Sequence, residues 1–257
     1  RHEPYDGPLQ PGMDIWELRD RASDLDESDV RFLRELYAGE VRFVDRSLDR
    51  LRETLARLGL LDDTVIVFTS DHGEEFLEHG WIGHTRNLYR NLTRVPLLIR
   101  APGMPVPEVR RDGAMLVDVF PTILALAGVP VSGYAGRDLF GGERSPRPAF
   151  SEVDFDPWSD ANANQLDRTL RKTASLVAVE HAGWKAIEDR LTSEWELFRV
   201  EEDPGERHDL AAEHPDVLAD LQERLAAWAR SFDATEDTRT EIPPERLERL
   251  RALGYVE

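Results

Sequence analysis

The chain has 257 residues, 40% of them hydrophobic and 32% charged, enough for one large or two small domains around a packed core. Acidic residues number 51 against 32 basic ones, and the net charge of −19 argues against nucleic acid as a partner, because duplex phosphates need clustered Lys and Arg. There is no cysteine, so disulfides and thiol chemistry are absent from these residues, and no window holds the ~18 to 20 uninterrupted apolar residues of a membrane span.

Pro4, Gly7, Pro8, Pro11 and Gly12 break any periodic pattern, so residues 1–25 are expected to be irregular. A long helix follows. Asp26 or Ser28 can cap it, Val30, Leu33, Leu36, Tyr37, Val41, Val44, Leu48, Leu51, Leu55 and Leu58 form one apolar stripe, and Gly59 is placed to end it. Thr64 to Ser70, TVIVFTS, is a β-branched apolar run, and after a helix it predicts a parallel strand buried on both faces. Val95 to Ile99 is a second strand of the same kind. Met115 to Leu126 reads as an apolar helix that contains Pro121 and closes at Gly128.

From about Pro148 the texture changes. Ala149 to Val153, Ser175 to Glu180, Trp184 to Ile187 and Trp195 to Val200 read as short strands, with a hairpin turn at His181-Ala182-Gly183. Pro215 to Phe232 is an amphipathic helix with Val217, Leu218, Leu221, Leu225 and Trp228 on one face, and a short helix near Pro244 to Leu253 ends the chain. The elements predict an α/β unit over residues 1–147 and a small antiparallel sheet with a covering helix over residues 148–257.

The chemistry is concentrated in Ser70 to Arg94, SDHGEEFLEHGWIGHTRNLYRNLTR, which holds His72, His79 and His84 beside Asp71, Glu74, Glu75 and Glu78. Ligand sites of open α/β sheets lie at the carboxyl ends of strands, where Asp71 and His72 fall. Attack on a sulfate or phosphate ester builds negative charge that a divalent metal and fixed donors stabilise. A carboxylate and an imidazole side by side are suitable metal ligands, and Gly73 lets the backbone turn tightly. Glu74, Glu75 and Glu78 read as a solvated helix face. His79 reads as partly buried and His84 as a residue of a polar loop.

SDHGEEFLEHG followed by GHTRNLYRNLTRVPLLIRAPG resembles the C-terminal metal and substrate segment of type I sulfatases of the alkaline phosphatase superfamily. Other stretches resemble the same family in order: His2-Glu3-Pro4-Tyr5, the YAGEVRFVD helix from Tyr37 to Asp45, VDVFPTILALAG from Val117 to Gly128, the hairpin from Trp195 to Leu210, and Leu250 to Val256. The resemblance implies a sulfatase-like mixed sheet flanked by helices, with a small C-terminal antiparallel sheet. It implies that Asp71 and His72 are metal ligands, His72 standing where many sulfatases carry Asn. His84 falls where many carry a Lys, so it would contact the sulfate and the leaving oxygen as a catalytic and substrate-binding residue. His2 would contact the sulfate, and His79 would be an adjacent, catalytic pocket residue. Arg94 would tie the loop to the sheet, and Asp118 and Asp203 would be fold determinants.

The same resemblance implies a divalent metal, calcium first with manganese or zinc as alternatives, and a formylglycine nucleophile. The family's first strand, with its two metal Asp residues, and its nucleophile segment do not occur in these 257 residues, so the chain alone is expected to be inactive. The implied substrate is a small-molecule or glycan sulfate ester, its alcohol contacted by loops at residues 6–25, 154–170 and 233–242, where Trp16 and Trp158 could stack on a sugar or aryl group. Two other readings stand beside this one. One is a phosphodiesterase, phosphonate monoester hydrolase or phosphoethanolamine transferase of the same superfamily, which His72 suits as a ligand of softer metals. The other is a non-catalytic module that keeps the fold.

Overall fold

The computed structural model describes residues 5–84, 86–104, 108–110, 113–142, 146–155 and 174–233. In chain order the elements are α1 (Ile15–Asp20), α2 (Glu27–Arg57), β1 (Ile66–Thr69), a hairpin of β2 (Glu75–Phe76) and β3 (Ile82–Gly83), the single turn α3 (Arg90–Thr93), β4 (Leu97–Arg100), α4 (Val119–Leu126), the strands β5 (Ala149–Phe155), β6 (Ala174–His181), β7 (Trp184–Asp189) and β8 (Glu194–Arg199), and α5 (Pro215–Asp233). The architecture is mixed α/β, with helices beside antiparallel sheets. Among the described residues no helix is long and apolar enough to cross a membrane.

A capping box starts α2. The Asp26 carboxylate accepts from the N–H groups of Ser28 (2.7 Å) and Asp29 (3.0 Å), and the Asp29 carboxylate accepts from Asp26 N–H at 3.0 Å. Gly59 follows the last turn at φ +71°, a conformation costly for any residue with a Cβ. The N-terminal stretch differs from its irregular reading, because α1 forms once the breakers end at Gly12. Leu9, Leu18, Leu33 and Ile82 are buried together, and Tyr5 stacks on Phe32 with ring centroids 4.0 Å apart. That cluster packs α1 and the start of α2 against the β2–β3 hairpin.

The two strands expected to be parallel and buried on both faces instead pair with each other antiparallel, Ile66 opposite Arg100 and Thr69 opposite Leu97. Among the described residues they form a sheet of two strands, and Leu98 is 59% exposed. The Met115–Leu126 segment begins as a 3₁₀ turn at Leu116–Asp118 and continues as α4, with Pro121 in its first turn, where its missing N–H is not needed. Asp118 is fully buried. It accepts from Met115 N–H and Arg137 N–H, each at 2.9 Å, and pairs with Arg147, which bears out its part in the fold. Asp203 likewise accepts from the N–H groups of Arg207 (2.7 Å) and His208 (2.9 Å).

The C-terminal sheet runs β5-β6-β7-β8, antiparallel throughout. The β6–β7 turn is the expected hairpin, with Ala182 at φ 50° and Gly183 at φ 80°. Alternate side chains of a strand point to opposite faces, and here both faces are covered. Val177, Val179, Ala186 and Leu197 meet Leu221 and Leu225 of α5 on one side. Ala178, Ile187, Phe198 and Val200 meet Leu88 on the other. Residues 88–93 are therefore seated on the sheet. The tail helix expected near 244–253 lies outside the described residues. Replacing Leu221, 1% exposed in this core, by Ala is expected to cost about 2 to 5 kcal/mol in urea denaturation, whereas a loss below about 1 kcal/mol would place that core elsewhere.

Candidate active site

Asp71 and His72 lie immediately beyond β1, where the strand gives way to an exposed loop. Asp71 Oδ1 accepts from His72 N–H at 3.0 Å, and that bond is the chief reason its carboxyl is held below the usual carboxylate range. The His72 ring is fixed from the other side. Its Nδ1 lies 2.9 Å from the Gly73 carbonyl, which can only accept, so the proton sits on Nδ1 and Nε2 carries the free lone pair. That Nε2 lies 3.6 Å from Asp71 Oδ2, a spacing at which both atoms can meet one divalent cation. Among the described residues no group of three or more His, Asp or Glu side chains gathers around a metal position.

His84 joins the pair. Its ring packs on that of His72 with centroids 3.9 Å apart, and its Nδ1 is 3.3 Å from Glu74 Oε1. Glu74 thereby orients the ring and leaves Nε2 as the outward nitrogen. The backbone under His84 is held by Arg19 of α1, which donates through Nε to Ile82 O at 2.7 Å and through Nη2 to His84 O at 3.3 Å. Gly83 is required beside it: it sits at φ +97°, and a Cβ there would come within 2.4 Å of Arg19 Nη2.

The glutamates are not a solvated helix face. Residues 74–79 enter a hairpin, with Leu77 at φ 65°, Gly80 at φ 81° and Leu77 N–H donating to Trp81 O at 2.8 Å. Glu75 is fully buried and takes up the donors this turn leaves over. It accepts from the N–H groups of His79 (2.8 Å) and Trp81 (3.0 Å) and from the Asn87 side chain, while burial pushes its carboxyl above the usual range. Glu78 pairs with Arg34 of α2 at 2.7 Å.

His79 does not join His72 and His84. It stacks on Tyr89, with ring centroids 3.5 Å apart and planes 11° from parallel, in a separate hollow lined by Glu78, Arg90, Asn91 and Glu206. Burial pushes its imidazole below the usual histidine range, against the opposing charge of Glu206. Arg94 is exposed, whereas Arg90 is among the residues that tie the loop to the sheet, through Val200 O at 2.9 Å and Glu180 at 3.2 Å. His2, Trp158, residues 156–170 and residues 234–242 lie outside the described residues, and so does the side chain of Trp16. Sequence reasoning missed Arg19, Glu74, Glu75, Asn87 and Arg90. Only their position in or near the histidine-rich segment could have flagged the last four.

Gly73 serves differently from its expected tight turn. A Cβ on it would lie 1.9 Å from Asn91 O, and its N–H donates to Leu92 O at 2.8 Å. Two backbones meet there with no room for a side chain.

A family model described as "Sulfatase" matches residues 17–129, and one described as "N-sulphoglucosamine sulphohydrolase, C-terminal" matches residues 77–231. The chain is 32% identical to Arylsulfatase K of Danio rerio over 238 residues, 89% of this chain and 43% of that protein. The fold resembles that of BT4656 in complex with its substrate D-glucosamine-2-N,6-O-disulfate, at 25% identity and TM-score 0.62, over 78% of this chain and 41% of that one. It also resembles the phosphonate monoester hydrolase of Agrobacterium radiobacter, at 27% identity and TM-score 0.68, over 87% and 46%. The chain spans less than half the length of the curated relatives it matches.

Gly73→Ala is expected to push the Asn91–Leu92 backbone away, lowering stability by about 1 to 3 kcal/mol in urea denaturation. A variant as stable as the parent would show that this close approach is not needed.

Proposed function

We propose that this chain, which belongs to the sulfatase family, forms the metal- and anion-facing part of an enzyme that hydrolyses a sulfate ester. The observation that carries the reading is a trio: Asp71 and His72 beyond β1 with donor atoms 3.6 Å apart, and His84 beyond β3 with its ring tilted 30° against that of His72 at 3.9 Å. The matching family models and the likeness to Arylsulfatase K support sulfate as the group transferred.

Asp71 and His72 would hold the divalent ion, calcium in our reading, with manganese or zinc as alternatives because His72 supplies a nitrogen. The ion, when bound, supplies the concentrated positive charge that a protein of net charge −19 otherwise lacks for gathering an anion. His84 works on the leaving side. With Nδ1 held by Glu74, its Nε2 is free to donate a hydrogen bond to the ester oxygen and, in the protonated ring, to give that oxygen a proton as the S–O bond breaks. His2 would add a contact to the sulfate. The nucleophile would be a formylglycine hydrate, with further metal carboxylates, from outside these 257 residues. His79 belongs to the supporting loop, and the proposed chemistry uses His84 alone. Residues 1–147 would be part of the catalytic unit and residues 148–257 the smaller subdomain that braces it. The substrate class is a small-molecule or sugar sulfate ester, in keeping with the disulfated glucosamine bound by BT4656.

A second reading is hydrolysis of a phosphonate or phosphate ester, favoured by the likeness to the Agrobacterium radiobacter hydrolase. The full-length protein decides between them with an aryl sulfate and an aryl phosphonate. Faster turnover of the sulfate is expected, with kcat/KM falling about 10²- to 10⁴-fold in Asp71→Asn and in His84→Gln. Preference for the phosphonate would move the assignment to the second reading, and unchanged kcat/KM in both variants would remove these residues from the site.

A further inference from the structure

Glu180 on β6, Lys185 on β7 and Glu196 on β8 share one face of the C-terminal sheet, by the alternation that puts Ala178, Ile187 and Phe198 there. That face looks onto residues 87–93. Lys185 is 2% exposed, and its Nζ lies 2.5 Å from Leu88 O, 3.3 Å from Thr93 Oγ1 and 2.9 Å from Glu206 Oε1. Glu206, also 2% exposed, accepts from Arg90 N–H through its other oxygen. Arg90 reaches back to Val200 O and Glu180, and Tyr89 Oη donates to Glu196 at 2.9 Å. Every residue from Leu88 to Arg90 is thus tied to the sheet or its following loop by a directed bond.

A buried ion pair is a weak stabiliser, because desolvating both charges offsets most of their attraction, and an apolar pair often serves as well. What an apolar pair cannot supply is direction. The held turn has one further contact that matters. Leu92 O accepts from Gly73 N–H at 2.8 Å, Gly73 O accepts from His72 Nδ1 at 2.9 Å, and His72 Nε2 faces Asp71 Oδ2. The path from the sheet to the ligand pair is continuous and made of short, directional steps. We propose that Lys185 and Glu206 are positioning residues which, through the Leu88–Thr93 turn and Gly73, set the aim of the Asp71–His72 donor pair. The inference rests on the metal-binding reading of that pair.

The test uses the full-length protein, stripped of metal and titrated with Ca²⁺, Mn²⁺ and Zn²⁺ against a chromophoric chelator, with the urea midpoint of each metal-free variant measured alongside. Lys185→Met with Glu206→Gln leaves no unpaired charge. It is expected to keep a metal-free midpoint near the parent's while metal binding weakens about 10- to 100-fold, and kcat falls more than KM rises. Arg90→Met, which loosens the same turn from another side, covers the case in which the double variant does not fold, and is expected to weaken metal binding in the same direction. Parent-like metal affinity in the folded variants would overturn the inference, and so would a loss that merely tracks a fall in the metal-free midpoint. Asp71→Asn separates the two levels: if it leaves metal affinity unchanged, the metal-binding reading itself fails.

Discussion

The close approach of two backbones at Gly73 governs the geometry of the site. A single hydrogen bond, Gly73 N–H to Leu92 O, joins the loop after β1 to the turn before β4, and the absence of a Cβ lets the chains come near enough to form it. The Gly73 carbonyl then fixes the His72 ring, and His72 faces Asp71. If the two backbones moved apart, the donor pair would lose its orientation even though both side chains remained present.

Two independent supports converge on that contact. From the N-terminal side, Arg19 grips the carbonyls of Ile82 and His84, and Glu75 gathers the N–H groups of the hairpin and the Asn87 side chain. From the C-terminal side, the buried Lys185–Glu206 pair and Arg90 hold the turn that contains Leu92. These are buried, hydrogen-bonded charges, whose directional bonds suit them to fixing position, while the apolar contacts of Val177, Leu197 and Leu221 supply the cohesion of the C-terminal unit.

What was legible in the sequence follows from what is local. The cap at Asp26, the stop at Gly59, the apolar stripe of α5 and the Ala182-Gly183 turn each depend on neighbours a few residues away, and they stand where the pattern put them. The direction of β1 was not legible, because its partner β4 follows only after the β2–β3 hairpin and α3. Glu75 was misread for a related reason: a charged residue reads as solvated unless the N–H groups and the Asn87 amide that surround it are known. The Lys185 contacts to Leu88 and Thr93 span more than 90 residues and leave no periodic trace. The Asp71-His72-Gly73 cluster was conspicuous from residue type alone, whereas the packing of His84 against His72 and the stacking of His79 on Tyr89 needed the fold.

The central claim is that the carboxylate of Asp71 and the imidazole of His72 share one divalent ion at the end of β1. Anomalous X-ray diffraction from crystals of the full-length protein grown with Mn²⁺ tests it most directly. The expected result is a single strong peak bonded to Asp71 Oδ2 and His72 Nε2, with His84 nearby. A peak that touches neither atom, or no peak at that position, would contradict it.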